Sequence, residues 1–388
     1  MNNTAQHTAY FILSGFFAFL ALAFTANADI VQPNAYQIFG ISGAYNDVFF
    51  GNYYGNEGDI EGHAAIKGDL TAINYGFGSG EMAKHAGNKN VLVVGGNVYA
   101  KGAGVYDGNA YIAGSLNPTT VNGKTDKWNT VHATDRVVAD YNRENPNYKA
   151  EKGTIYANGF PTGDPDSTQS QKRFAESGMS TIPFDFTVAE NQLRTVSTDL
   201  RSMQSTIDAS FNDRNIVIDM SGLAGLQVLT LDAAHFMGMG SDRNLFINNA
   251  GDDLTLIVNI INEQGLDYLW LRNEIVINGN SDPMYAGFDG SNILFNTDME
   301  NVRIENVAFN ASLLALDAEV YVRQGNIDGQ VFAGSGYTER GGEFHAYYTF
   351  DDKHFQPTVT PEPASILIFG LGMGSLALAR RHRRRNAT

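Results

Sequence analysis

The chain has 388 residues, with 26 lysines and arginines against 42 aspartates and glutamates, a formal net charge of −16, and no cysteine. With the uncharged segment 1–28 and the segment 361–388 (five arginines, one glutamate) set aside, 21 basic and 41 acidic residues remain, a net charge of −20. So acidic a body excludes nucleic acid as a partner and calls for a bridging cation if it is to touch an anionic polysaccharide directly, and without disulfides it must be held by a hydrophobic core.

Taken in chain order, Tyr10 to Phe24 form an apolar run, followed by the small-x-small triplet Ala26-Asn27-Ala28. This is the pattern of a cleaved signal peptide over residues 1–28, with cleavage after Ala28. Residues 36–115 read as short strands separated by glycines: Asp47 to Phe50, Ile60 to Ile66, Val91 to Val94, Asn97 to Ala100 and Ala110 to Ala113. Glycines 51, 68, 95, 96, 102, 108 and 114 stand where tight corners are needed. Residues 117–180 are rich in Pro, Asn, Asp, Lys and Ser and predict a surface excursion with one short helix around Asp135 to Tyr141. Phe186, Ala189, Leu193, Val196, Leu200, Met203 and Ile207 then recur at spacings of three and four, a narrow apolar stripe that predicts a helix packed along a sheet, with Pro183 and Thr187 near its start.

Strand-like runs return after the helix, from Asn215-Ile216-Val217-Ile218 to Ile327 through Ala333, with Asn and Gly at the joins. Many short strands without intervening helices fit either a β-sandwich or a solenoid. The runs are continuous in Val, Ile and Leu instead of alternating, as expected where parallel coils enclose a narrow core. The predicted fold is therefore mainly β: a β-solenoid or β-helix-like body with one long amphipathic helix along it, the β-sandwich being the alternative. The body spans residues 29–356 as one domain. The final segment, 357–388, holds Pro361-Glu362-Pro363, the apolar run Ala364 to Ala379, and Arg380, Arg381, Arg383, Arg384 and Arg385. At about 1.5 Å per residue the run spans roughly 24 Å, enough for a transmembrane helix with local thinning, its basic end cytoplasmic.

That tail resembles the PEP-CTERM sorting signal, which implies processing by an exosortase-type membrane transpeptidase in a Gram-negative bacterium that makes extracellular polysaccharide. A second resemblance covers nearly the whole body. Tyr45 to Gly51, Asp59 to Asp69, Ile182 to Phe186 with Leu193, Ser197 and Leu200, and Gly325 to Ala333 with Glu343-Phe344-His345 are similar to the choice-of-anchor A family. The resemblance departs at His63 and Lys67. It implies a surface adhesive domain and brings no catalytic residues with it.

Motifs for catalysis fail on inspection. Gly123-Lys124-Thr125 lacks the upstream glycine of a phosphate loop, where Pro118 stands, and Gly102-Ala103-Gly104 meets Asp107 in place of the third glycine of a dinucleotide fingerprint. Two Glu-x-His triplets, Glu61/His63 and Glu343/His345, could each turn a carboxylate and an imidazole to one face of a strand, and if the chain ends met they would form a four-ligand metal site; local hydrogen bonding is the plainer role. The corner Asn249-Ala250-Gly251-Asp252-Asp253 could hold Ca²⁺, or serve as a solvated turn. No other cofactor is expected. The reading is an exported, non-enzymatic cell-surface or matrix protein of biofilm type. It would adhere to extracellular polysaccharide or a surface protein, with its tyrosines as candidates for stacking on sugars, and touch the membrane through the C-terminal helix before processing. The alternative is a secreted β-helical lyase or glycosidase, whose paired acids need only spatial proximity. Ice binding on a flat solenoid face would require threonines repeating in register, and the threonines are scattered.

Overall fold

The first third of the chain repeats a glycine and a small polar residue ahead of each apolar run: Gly51-Asn52, Gly68-Asp69, Gly96-Asn97 and Gly114-Ser115. In the computed structural model these pairs stack at one corner of a solenoid. Asn52 Oδ1 accepts the Asp69 amide at 2.9 Å, Asp69 Oδ1 accepts that of Asn97 at 2.7 Å, and Asn97 Oδ1 that of Ser115 at 3.0 Å. Each side chain thus satisfies a backbone N–H that the turn removes from the strand ladder. The glycine is needed because successive coils nearly touch: a Cβ on Gly96 would lie 2.6 Å from the Gly68 carbonyl oxygen and against the Asp69 carboxylate.

The structure describes residues 38–80, 90–101, 103–106, 108–116, 155–159, 174–176, 182–212, 215–237, 244–272, 274–281 and 288–354. The chain first forms β1 (Asp47–Phe49), β2 (Tyr53–Ile60), β3 (Ala64–Ile66), β4 (Leu70–Phe77), β5 (Asn90–Val94), β6 (Val98–Lys101), β7 (Gly104–Val105), β8 (Asn109–Ser115), β9 (Ile155–Gly159) and β10 (Phe174–Glu176). Helix α1 (Phe186–Ser202) follows. Then come β11 (Ser210–Asn212), β12 (Asn215–Asp219), β13 (Gly225–Asp232), β14 (Asn244–Asn248), β15 (Leu254–Ile261), β16 (Leu269–Leu271), β17 (Ile275–Ile277), β18 (Ile293–Thr297), β19 (Asn301–Glu305), β20 (Ala308–Phe309), β21 (Ser312–Arg323), β22 (Asn326–Ile327), β23 (Val331–Glu339) and β24 (Glu343–Phe344).

These strands stack in parallel on three faces, which identifies a solenoid and not a sandwich. The first face runs β13, β15, β18, the start of β21, the start of β23, β1, β3, β5, β8, β9, β10. The second runs β16, β19, the end of β21, the end of β23, β2, β4, β6. On the third, β12, β14 and β17 pair in parallel with β11 antiparallel at their edge, and β20, β22 and β24 pair onward to the end of β2. The order has an unusual consequence. Because β1 lies between β3 and β23, the chain starts inside the stack, winds outward to β10, crosses back, and winds inward until its last coil seats against its first.

Helix α1 makes the crossing. Asp185 caps it, accepting from the amides of Thr187 and Val188 at 3.0 Å. Phe186, Ala189, Leu193, Val196 and Leu200 are buried beneath it. Its 17 residues span about 25 Å, the height of roughly five coils. Polar ties mark its path: Glu190 to Lys67 at 2.8 Å, Arg194 to Asp317 at 2.9 Å, Ser197 to Asn296, and the Leu200 carbonyl to Asn259. Asn259 and Asn296 are register partners on β15 and β18, and Asn296 donates to Asn259 Oδ1 at 2.9 Å. The helix ends at Ser202, so Met203 and Ile207 fall outside it. The chain there bends so that the Thr206 amide can reach the Val228 carbonyl of β13, and Ile207 packs against the core, partly buried, from that bend.

The interior is aromatic as well as aliphatic, with Phe49, Tyr53, Tyr75, Phe77, Phe295, Phe309 and Phe344 fully buried. The Tyr53 and Tyr75 hydroxyls meet at 2.6 Å, and Tyr75 donates onward to the Asp59 carbonyl. Asp47 faces Val331 and Ala64 across the ladder and is wholly buried, with neither carboxylate oxygen hydrogen-bonded among the described residues; burial pushes its pKa well up. Two segments within the expected excursion 117–180 are not surface loops: β9 and β10 extend the first face beyond β8, because Ile155, Tyr156 and Ala157 continue the register of Ala110, Tyr111 and Ile112. The helix expected around Asp135 to Tyr141, the signal segment 1–28 and the tail 357–388 lie outside the described residues. No helix among the described residues is long and apolar enough to cross a membrane.

Candidate functional site

On the second face, side chains far apart in the chain line up at one position of successive coils. Trp270, Arg303, Tyr321, Tyr337, Tyr54, Thr71 and Tyr99 are register partners in that order. Each lies between inward-facing residues such as Leu269 and Leu271 or Val320 and Val322, so strand alternation turns the row outward. The Tyr54 and Tyr337 rings stack with centroids 4.7 Å apart and planes 15° from parallel, and Tyr337 and Tyr321 follow at 5.4 Å and 32°. Stacking along the solenoid uses the ring faces on one another. Tyr337, with a ring on either side, has its edge and hydroxyl left for a ligand, whereas Tyr54 and Tyr321 each stack on a ring at one face.

Two residues farther along β16, β19, β21 and β23 a charged row runs beside the aromatic one, giving way to Asn56 and Ile73 on β2 and β4. Arg272 pairs with Glu305 at 3.2 Å and Arg323 with Glu339 at 3.6 Å. Tyr321 donates to Glu339 at 2.6 Å, tying the rows together; burial and this acid partner push the phenol pKa up to about 12. At the end of the row, the Arg272 guanidinium lies 3.3 Å from the centre of the Trp270 ring, Tyr268 meets Trp270 edge-on at 6.0 Å, and Arg303 lies 4.9 Å over Tyr268.

The Glu-x-His residues are partly assembled. Pairing of β2 with β24 brings the Glu61 amide to the Phe344 carbonyl at 2.8 Å, and Glu61 Oε2 accepts the Ala346 amide at 3.3 Å. His345 lies between Asp328 at 2.8 Å on Nδ1 and Glu343 at 3.1 Å on Nε2, and Asp328 also accepts from Asn326. Burial alone would lower the imidazole pKa, but hydrogen bonds to Asp328 and Glu343, with the nearby Glu61, outweigh it and push the group up to about 10. A charged imidazole donating from both nitrogens has no lone pair for a metal. His63 does not join the group. Its ring lies edge-on to Tyr45 at 6.2 Å, and its amide donates to Asn46 in a corner of the first coil. No group of three or more His, Asp or Glu side chains among the described residues is arranged to hold a metal. At the corner proposed for Ca²⁺, Asn249 donates to Asp219 at 2.9 Å and the Ala250 amide to Asn278 at 3.0 Å, so these groups stitch coils together. Asp59, near Glu343, Glu61 and His345, is raised to about 6 by burial, with Ser79 donating to it.

The profile of the ice-binding-like adhesive domain family matches residues 38–346, and that of the PEP-CTERM protein-sorting motif matches residues 359–385. No curated protein is detectably similar. Among solved structures, an ice-binding protein from an Antarctic biological consortium is 10% identical, with 82% of this chain and 93% of that one covered and a TM-score of 0.33. The protein from the Antarctic ascomycete Antarctomyces psychrotrophicus is 12% identical over 79% and 96% at 0.27, and the DUF3494 domain of ice-binding protein 1 from Shewanella frigidimarina is 13% identical over 79% and 96% at 0.31. At these scores the likenesses carry no argument about this chain.

Proposed function

Because this chain belongs to the ice-binding-like adhesive domain family and carries a PEP-CTERM sorting motif, we propose that it is a surface adhesin of the Gram-negative envelope whose second face grips an extended extracellular polysaccharide. The sorting motif marks it for export across the inner membrane and for an exosortase. Processing beside Pro361-Glu362-Pro363 would remove the arginine cluster. Association with a biofilm matrix, and the choice among several anchors that the choice-of-anchor A resemblance implies, are parts of this proposal.

The observation that carries the reading is the outward row from Trp270 through Tyr321, Tyr337 and Tyr54. Its members repeat once per coil, about 4.8 Å, and parallel pairing fixes that step without any ligand. A polymer lying along the solenoid axis meets phenol edges, hydroxyls and ion pairs along this row, groups suited to a hydroxyl-rich chain. An ice lattice asks for small hydroxyl residues in register. On this row Thr71 stands between Tyr54 and Tyr99, with no second threonine beside it. Absence of catalysis is part of the reading too: Asp328 and Glu343 are engaged with His345, Asp59 with Ser79, and Glu61 with the Ala346 amide.

The test is retention of the exported protein by insoluble extracellular polysaccharide against incorporation into growing ice. Retention that falls about tenfold in Tyr337→Ala supports the proposal. Incorporation into ice without polymer retention would replace it, and shortening of the polymer during incubation would favour a lyase or glycosidase.

A further inference from the structure

Arg303 stands apart from the other cations of the second face. Arg272 and Arg323 are each paired with a carboxylate, Glu305 and Glu339, whereas Arg303 is exposed and makes no ion pair among the described residues. Its guanidinium lies 4.9 Å over the Tyr268 ring. Tyr268 in turn abuts Trp270, and Trp270 is pinned by Arg272, itself tied to Glu305. A chain of packed groups therefore holds the Arg303 head in place before any ligand arrives, which lowers the ordering cost of binding. Along the solenoid, its register neighbours are Trp270 on one side and Tyr321 on the other.

We propose that Arg303, between Trp270 and Tyr321, is a subsite for the carboxylate of an acidic, uronic-acid-containing polysaccharide. This rests on the adhesive reading above and specifies its ligand. A planar guanidinium presents paired N–H donors that match a carboxylate, and the flanking aromatic edges accept the apolar rim of a sugar ring. A body with a net charge of −20 otherwise repels a polyanion, so a fixed local cation, and not a bridging metal, supplies the attraction. Glu319, one coil along and two residues back in register, limits that attraction.

The test is affinity electrophoresis of the exported protein through gels containing polygalacturonate or neutral dextran, with EDTA present throughout. The proposal expects retardation by polygalacturonate in EDTA, at least a tenfold loss of affinity in Arg303→Gln, partial recovery in Arg303→Lys because an ammonium is a point charge, and tighter binding in Glu319→Gln. Because Arg303 is exposed, the circular dichroism of Arg303→Gln should match that of the unaltered protein. Equal retardation of the unaltered protein and Arg303→Gln by polygalacturonate overturns the subsite. Retention by dextran alone, indifferent to Arg303, overturns it while leaving the adhesive reading intact, and mobility unchanged by either polymer overturns both.

Discussion

Replacing Asn296 with alanine tests whether α1 is fastened to the solenoid by its polar contacts as well as by its apolar stripe. The Asn296 amide accepts from Ser197 Oγ at 2.7 Å and donates to the Ser197 carbonyl at 3.0 Å and to Asn259 Oδ1 at 2.9 Å, all in buried surroundings. Two of those partners can recover. The Ser197 carbonyl lies within the helix ladder, and a serine hydroxyl can turn back to a carbonyl one turn earlier. Asn259 Oδ1 cannot recover, since it stays buried with no donor, at a cost of about 1–3 kcal/mol. Adding roughly 1 kcal/mol for the hydrogen bonds and packing that alanine removes gives an expected destabilisation of about 2–4 kcal/mol. Urea unfolding of the exported protein, followed by circular dichroism, should show a lower midpoint with an unchanged slope. In a double-mutant cycle, Asn296→Ala and Ser197→Ala should couple by about 0.5–3 kcal/mol. A loss below about 0.5 kcal/mol, with additive single changes, would refute the polar fastening and leave the leucines holding the helix alone.

Four further outcomes follow from the geometry. His345 is charged in the folded state up to about pH 10 but only to about 6.5 when unfolded, so its stabilisation is complete below pH 6.5 and is lost as pH rises to 10; the stability gap between the unaltered protein and His345→Gln should be about 1–3 kcal/mol at pH 6 and vanish above pH 10, and a gap that widens with pH contradicts the imidazolium assignment. Gly96→Ala should cost roughly 2–3 kcal/mol, because its Cβ meets the Gly68 carbonyl and the Asp69 carboxylate; an unchanged melting temperature would mean that the coils can part. Asp47→Val should raise the urea midpoint by removing an unbonded buried carboxyl, worth about 1–3 kcal/mol; a fall would point to a partner for that acid. Mass spectrometry of the surface fraction should find a protein running from Asp29 to near Thr360, and peptides covering Leu376 to Thr388 there would sink the sorting proposal.

What the sequence makes legible depends on distance along the chain. The stripe from Phe186 to Leu200 reads directly, since its contacts repeat every three or four residues, and continuous Val, Ile and Leu runs correctly favour parallel coils over a sandwich. The meeting of Glu61 with Glu343 and His345 is foreseeable because both triplets close the domain's end segments. His63 misleads: the chain turns at Gly62, carrying the imidazole into a corner beside Tyr45. The aromatic row is invisible to local reading, because Tyr54 and Tyr337 are neighbours only through the pairing of β2 with β23. A signal was nonetheless present. The repeated Gly-Asn, Gly-Asp and Gly-Ser corners mark where four of the coils turn onto the second face, so Tyr54, Thr71, Tyr99 and Tyr337, each two residues past such a corner, could have been aligned.

The reversal that puts β1 against β23 also decides how the molecule bears load. In a solenoid wound in one direction, a pull on either chain end peels a terminal coil that has a neighbour on one side alone. Here the Asp352 carboxylate holds the Ile38 amide at 3.0 Å, and Phe350 packs near Phe39, so the two described ends of the body leave from one place beside its middle coils. Tension drawn through residue 352 reaches the short strand β24 first, held between β22 and β2, and then β23, a strand bonded to β21 on one flank and to β1 and β2 on the other. Its hydrogen bonds must yield on both flanks before the strand slides free, so an adhesin tethered at that end would resist unravelling where a free terminal coil would unzip.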